Sequence, residues 1–238
     1  YVSLITGSHF ALADLMPPMT APPGHLRDVA ARFRTALGVP VVMAGSVREP
    51  HDAAAIIESG CADVVALARP WIADPKWLTK VEQNNVSSIT PCVSCNQACT
   101  FAQRGIGPAT CVVNPRAGRE FERPPRVRAT GTRTLTVVGG GPAGMEAARR
   151  AAVRGYSVTL HEAGEQLGGD MRRAGEAPHR APILGAVDWW TRMLDQLGIH
   201  VVCNSHIDIE NPPEADEVIW AVGSVAAQSA VWRRRPQL

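Results

Sequence analysis

The chain has 238 residues, of which 45% are hydrophobic and 19% charged, and its formal net charge is +2. These values are ordinary for a globular protein and argue against a dedicated nucleic-acid-binding protein. No run of about 18 apolar residues occurs and no secretory signal is recognisable, so we expect no membrane contact and a cytoplasmic location. The chain lacks a starting Met and opens inside an apparent strand, so we expect it to be a piece of a longer protein.

The first 80 residues alternate short apolar runs with helical stretches. Residues 2–5, 39–43 and 63–67 are rich in Val, Leu and Ile, which predicts buried strands. Residues 50–59 have helical composition and end at Gly60, a common helix terminator. Strand and helix alternating at this spacing predict a parallel sheet. The following residues 91–121 show little periodicity, and residues 119–133 are basic and contain prolines, which is typical of a linker.

A second α/β unit is predicted from residue 133 onward. Its strands are expected at residues 134–138, 157–161, 199–203 and 218–222, and its helices at 142–154 and 189–197. No internal repeat is visible beyond the alternation of strands and helices. The sequence therefore predicts two α/β parts joined by an irregular connector.

Four of the six cysteines cluster in the connector, with the spacing Cys92-x2-Cys95-x3-Cys99-x11-Cys111. Without a secretory signal, clustered cysteines favour a metal site over disulfides. A close triplet with a fourth thiolate suits a 4Fe–4S cluster, whereas structural zinc usually takes two separated pairs. Zinc and unligated structural cysteines remain the alternatives. The isolated Cys61 and Cys203 are interpreted as small buried apolar residues.

A glycine-rich segment follows the strand at residues 134–138 and reads Gly139-x-Gly141-x-x-Gly144. In such a loop the first glycine makes a tight turn, the second lets a pyrophosphate approach the backbone, and the third permits close helix–strand packing. Pro142 and Ala143 then open the helix whose N-terminus attracts the anion. Glu162 ends the next strand, where it can bind an adenosine ribose. The alternative is a glycine turn in an unliganded α/β unit.

The segment Pro91–Cys99, together with the run Cys-Val-Val-Asn-Pro-Arg-Ala-Gly-Arg-Glu that begins at Cys111, resembles the cluster loop of the 2,4-dienoyl-CoA reductase/NADH:flavin oxidoreductase family. That family includes trimethylamine and histamine dehydrogenases and several N-demethylases. The resemblance implies that all four clustered cysteines are iron ligands. It also implies that residues 1–90 are the last strands of a (βα)8 barrel that binds FMN.

The resemblance extends to both flavin sites. It implies that Gly45, Ser46, Ala68 and Arg69 hold the FMN phosphate, although Gly45-Ser46 could be a simple turn and Arg69 a surface charge. His9 would face the substrate pocket, but a lone histidine is more often structural. Gly139–Gly144 and Leu167-Gly168-Gly169 are similar to the FAD half of two-dinucleotide-binding flavoproteins, so Gly169 joins the predicted FAD or ADP site.

These expectations give an α/β fold made of three parts. Residues 1–90 complete a TIM barrel, 91–125 form the iron–sulfur loop and linker, and 126–238 form an incomplete Rossmann-like FAD unit. The predicted function is a segment of an NAD(P)H-dependent flavin oxidoreductase that acts on a small enoyl- or dienoyl-type molecule. An amine dehydrogenase or demethylase, a non-catalytic truncated piece and a zinc-stabilised binding module are the alternatives. We expect no NAD(P)H-dependent reductase activity from the 238 residues alone.

Overall fold

The computed structural model describes residues 1–8, 10–100, 105–122 and 133–224. These residues fall into two compact units. One contains the described residues up to 122 together with 170–193, and the other contains 133–169 and 194–224. This grouping follows contacts rather than chain order, and the predicted division at residues 90 and 125 stays a prediction. None of the described helices is long and apolar enough to cross a membrane.

The first unit is built on a three-stranded parallel sheet. Its strands β1 (Val2–Leu4), β2 (Val41–Ala44) and β3 (Val64–Ala66) lie side by side in chain order. Helices α1 (Leu12–Leu15) and α2 (Arg27–Leu37) separate the first two strands, and α3 (Pro50–Glu58) separates the second and third. The buried face of β2 packs in a core shared by both longer helices, formed by Leu26, Ala30, Val41, Met43, Val47, Ile56, Cys61 and Ala62.

Local chemistry fixes where α2 and α3 begin and end. Helix α2 stops at Gly38, whose φ of 61° is left-handed and favours glycine. Helix α3 starts with Pro50 and a reciprocal capping box between Glu49 and Asp52. Asp63 holds the start of β2 in place, because its carboxylate accepts a 2.9 Å hydrogen bond from the Val41 backbone N–H.

Two short helices, α4 (Arg69–Ala73) and α5 (Trp77–Glu82), follow β3 and lead to 3-10 turns at Val86–Ser88 and Ala98–Thr100. Helix α7 (Asp170–Glu176) and most of α8 (Pro182–Gln196) also belong to the first unit. Trp189 of α8 donates its indole N–H to the Ser88 carbonyl at 3.2 Å. Helix α8 begins seven residues before the predicted helix at residues 189–197. Pro182 is a favourable first helical residue, and the buried apolar face extends back to Ala186.

The second unit contains a four-stranded parallel sheet in the order β6-β5-β4-β7, where β4 is Thr134–Val138, β5 Ser157–His161, β6 His200–Val202 and β7 Glu217–Trp220. Helix α6 (Pro142–Val153) connects β4 to β5. Taken from β4 as the first strand, the order is 3-2-1-4, the core of a doubly wound dinucleotide-binding sheet. The strand order changes direction between β4 and β7, and ligands of such sheets bind there.

Candidate cofactor sites

A cavity of about 360 Å³, here called the strand-end cavity, opens where the three strands of the first unit end. Such a volume lies within the range of small-molecule and cofactor sites. All four residues predicted to hold the FMN phosphate line it: Gly45 and Ser46 after β2, and Ala68 and Arg69 after β3. The structure thus brings together residues that are more than 20 positions apart in the sequence.

Ser46 has the features of a residue prepared for a ligand. It is 6% exposed, its φ is 53°, and its buried hydroxyl has no hydrogen-bond partner among the described residues. A buried, unpaired hydroxyl is costly, and a bound phosphate oxygen would satisfy it. Gly45 is closely packed, because a Cβ there would lie 3.3 Å from the His25 ring and the Leu26 side chain and would require them to shift. The cavity therefore fits the phosphate end of FMN.

The four clustered cysteines line a second cavity in the same unit: Cys92, Cys95, Cys99 and Cys111. Burial raises the pKa of the Cys95, Cys99 and Cys111 thiols above the usual value, and neighbouring cysteines raise it further. Each thiol loses stabilising water and would carry a charge beside other thiolates. Holding these three thiols deprotonated together therefore needs a strongly positive group beside them.

The arrangement of the thiols bears on which metal they suit. Within the described ranges, no three His, Cys, Asp or Glu side chains are placed as ligands of a metal ion. A tetrahedral zinc holds thiolates about 2.3 Å from the metal, which brings the sulfurs to about 3.8 Å from one another. In a cubane cluster each thiolate binds a different iron at an outer corner, so the sulfurs stand farther apart. The four cysteines lie around one cavity, and a set of four thiolate donors suits a 4Fe–4S cluster.

The glycine loop of the second unit joins β4 to α6 at the point where the strand order reverses. A Cβ on Gly139 would collide with the Ala221 carbonyl, and one on Gly144 with the Gly139 carbonyl. Gly141 is different, since a Cβ there meets no atom within 4 Å. The first and last glycines are therefore required by packing, whereas the middle one leaves open space at the start of α6 for a pyrophosphate.

Glu162 and Gly169 complete this loop. The Glu162 carboxylate accepts 2.7 Å bonds from the backbone N–H groups of Gly140 and Gly164, which place it directly beside the glycine turn. Gly169 has a left-handed φ of 50°, and a Cβ there would come within 3.3 Å of the Gly141 Cα. Pro142 and Ala143 form the first turn of α6, as expected. The seven predicted residues, Gly139, Gly141, Pro142, Ala143, Gly144, Glu162 and Gly169, thus lie on or beside the turn between β4 and α6.

Comparison with known proteins agrees with both units. Residues 1–87 match the NADH:flavin oxidoreductase / NADH oxidase family, and residues 137–197 match an NAD(P)-binding Rossmann-like domain. The chain belongs to the NADH:flavin oxidoreductase family. The expected α/β fold and family membership are thereby confirmed.

Relatives of the chain within this family act in different ways. The N,N-dimethylglycine/sarcosine dehydrogenase of Chromohalobacter salexigens is 35% identical over 204 residues, which are 84% of this chain and 29% of that protein. Cinnamate reductase of Clostridium sporogenes is 35% identical over 210 residues, 87% of this chain and 31% of that protein. The histamine dehydrogenase structure from Rhizobium sp. 4-9 has a TM-score of 0.86 at 30% identity, covering 98% of this chain and 34% of its own. This chain therefore spans about a third of the length of its relatives.

Two residues of this family member's sites were not predicted from the sequence. His25 lines the strand-end cavity, and its buried Nδ1 has no hydrogen-bond partner in the part of the chain that the structure describes. Burial lowers the pKa of His25; Asp14 opposes this shift, and Arg69 adds to it. The sequence Pro-Pro-Gly-His signalled only a turn. Asn96 is the second residue, and its Oδ1 accepts a 2.6 Å hydrogen bond from Arg69 Nη1. His9 lies outside the described residues.

Proposed function

We propose that this chain is the part of an NAD(P)H-dependent flavin oxidoreductase in which an FMN site and a 4Fe–4S cluster adjoin. One observation carries the proposal: Arg69 and Cys99 line both the strand-end cavity and the cysteine cavity. Groups bound in these two cavities would have Arg69 and Cys99 as common neighbours. Such proximity favours direct electron transfer between them.

The residues of the first unit divide into two sets. Gly45, Ser46, Ala68 and Arg69 would hold the FMN phosphate, with the Arg69 guanidinium as the charged partner. The four clustered cysteines would hold the cluster. When bound, FMN supplies two-electron chemistry at the substrate and the cluster supplies one-electron transfer.

The second unit would hold the adenosine half of a dinucleotide. The open space at Gly141 would admit the pyrophosphate, and the Glu162 carboxylate would bind the ribose hydroxyls. The similarity to an NAD(P)-binding domain supports a nucleotide at this loop. We propose FAD or ADP there, with NAD(P)H as the donor for the whole enzyme and a small enoyl- or dienoyl-type molecule as the acceptor.

A second candidate is an amine dehydrogenase or demethylase, in which electrons leave the substrate instead. Its support is that the dimethylglycine/sarcosine dehydrogenase and the cinnamate reductase are both 35% identical to this chain. Anaerobic mixing of the holoenzyme with NADH, NADPH or a secondary or tertiary amine separates the two candidates. Bleaching of the flavin absorbance by the nicotinamide alone supports the reductase, and bleaching by an amine supports the dehydrogenase.

The cluster itself is tested by replacing one cysteine from each environment. We expect Cys99→Ser to lose most of its iron and labile sulfide after anaerobic purification, because Cys99 lines the cysteine cavity. Cys203→Ser is the matched control, since Cys203 lies in the second unit, and it should retain the full content. Stoichiometric zinc without labile sulfide in the unaltered protein would contradict the proposal.

A further inference from the structure

Three hydrogen bonds join helix α4 and the following Asp74 to the segment that carries the clustered cysteines, here called the cysteine segment (residues 90–100 and 105–114). Asn96, which follows Cys95, accepts a 2.6 Å bond from Arg69 at the start of the helix. Asn114, three residues after Cys111, donates a 3.0 Å bond to the Ile72 carbonyl near its end. Asp74, which directly follows the helix, accepts a 2.8 Å bond from the backbone N–H of Thr90. A movement of the cysteine segment would therefore be transmitted to the helix that carries Arg69.

The hydrogen bonds of Arg69 leave part of its guanidinium available. Nη1 donates to the Pro17 carbonyl at 2.7 Å and to the Asn96 Oδ1, which uses both of its hydrogens. Nε and Nη2 have no partner among the described residues, and together they carry three N–H groups. This pair forms the planar fork that binds two oxygens of a phosphate or carboxylate at once. Fixing Nη1 therefore fixes the direction in which the fork points.

Asn96 is suited to this contact by both its side chain and its backbone. Its Oδ1 faces the arginine donor while its Nδ2 donates to the Met16 carbonyl, so only one orientation of the amide satisfies both bonds. Its φ of 52° is left-handed, a conformation that asparagine and glycine tolerate. The residue thus holds Arg69 from within the cysteine segment itself.

We propose that Asn96 is a positioning residue that couples the flavin cavity to the cluster, by holding the Arg69 fork toward a bound flavin phosphate from a loop that also carries the cluster cysteines. This inference rests on the proposed function, because it assigns the role of Asn96 toward the two groups proposed there. Coupling of this kind is reciprocal. FMN that engages Arg69 will restrain the cysteine loop, and an ordered loop will strengthen FMN binding by the same factor.

The experiment measures whether FMN protects the cluster. The holoenzyme is freed of flavin under anaerobic conditions, and the rate of iron release to a chelator is recorded without FMN and with saturating FMN. We expect FMN to slow release on the order of tenfold in the unaltered protein, within the usual range of coupling between sites. In Asn96→Gly, which keeps the left-handed backbone but removes the amide, FMN should give only a small part of this protection, through the remaining contacts of Asn114 and Asp74.

Two further variants separate coupling from folding. Asn84→Gly is the matched control, because Asn84 has a φ of 53° and an exposed side chain, and it should keep the full protection. Asn96→Asp retains an acceptor oxygen for Arg69 but loses the donor to the Met16 carbonyl, so it should restore part of the protection at saturating FMN. The cluster midpoint potential, measured with and without FMN, should shift most in the unaltered protein, less in Asn96→Asp and least in Asn96→Gly.

The possible results assign failure to one proposal or the other. Equal protection in Asn96→Gly and the unaltered protein, or loss of iron from both Asn96 variants during purification, would overturn the coupling role while leaving the cofactor sites standing. An unaltered protein that binds neither iron nor FMN would instead overturn the proposed function. Protection that is mostly lost in Asn96→Gly and partly regained in Asn96→Asp would support the inference.

Discussion

Replacing Asp74 by Asn should destabilise the first unit strongly, because its carboxylate is 4% exposed and has three donors. It accepts bonds from the backbone N–H of Lys76 at 2.9 Å, from that of Thr90 at 2.8 Å and from the Lys80 ammonium at 2.6 Å. An amide in either orientation turns an N–H₂ group toward at least one of these donors. One lost charged hydrogen bond costs about 1.5–3 kcal/mol, and an unsatisfied buried N–H adds about 1–3 kcal/mol.

The expected loss is therefore about 3–5 kcal/mol, in line with breaking a buried ion pair from one side. Lys80 is only 21% exposed, so water can recover little of this. Urea unfolding followed by circular dichroism measures the change. Asp170→Asn is the control, since its ion pair with Arg173 is at least 84% exposed on both sides and should contribute nothing measurable. A loss below about 1 kcal/mol in Asp74→Asn would refute the reasoning, because it would mean that the pair is hydrated.

Two further predictions concern the glycine loop of the second unit and Asp63 of the first unit. Gly141→Ala should weaken ADP binding by about tenfold or more in a calorimetric titration, with little change in the free energy of unfolding. Gly144→Ala should instead destabilise the fold, because its Cβ would collide with the Gly139 carbonyl. Equal effects of the two variants on binding and stability would count against this assignment. The hydrogen bond from the Val41 N–H lowers the pKa of Asp63 most, and the hydrogen bond from Arg34 lowers it further. The ionised Asp63 carboxylate therefore stabilises the fold above about pH 4, and this stabilisation is lost as the pH falls through the lowered pKa. In Asp63→Asn the free energy of unfolding should fall less between about pH 5 and pH 2 than in the unaltered protein. An identical pH dependence in both proteins would show that Asp63 does not contribute to it.

The strands and the glycine loop could be predicted from the sequence because their signals are local. A run of β-branched residues marks a buried strand, and the spacing Gly139-x-Gly141-x-x-Gly144 is contained in one short stretch between a strand and a helix. Helix α2 was not predicted, although its amphipathic pattern and the Gly38 that ends it are also local signals. Helices α4 and α5 have five and six residues, too few for a helical period to be recognised.

The contacts of Asn96 could not be predicted in this way. Its partners Arg69 and Met16 lie 27 and 80 residues away in the sequence, and no periodicity connects them. The sequence indicated only that a small polar residue stands between two cysteines. The unpaired hydroxyl of Ser46 is likewise a property of packing, because the same serine in an exposed turn would be satisfied by water. Candidate site residues could thus be predicted from motifs, whereas the hydrogen bonds between them could not.

Arginine at position 69 suits the two negatively charged groups proposed to lie beside it. A flavin phosphate and a thiolate-bound cluster would both lie beside Arg69, which lines both cavities. A cation between two anions reduces their repulsion, and partial burial makes this effect larger than in water. A lysine would supply the charge but carries all its donors on one nitrogen. It could not bind the Pro17 carbonyl and Asn96 through one nitrogen while presenting a separate planar fork to a phosphate, so the geometry here requires a guanidinium.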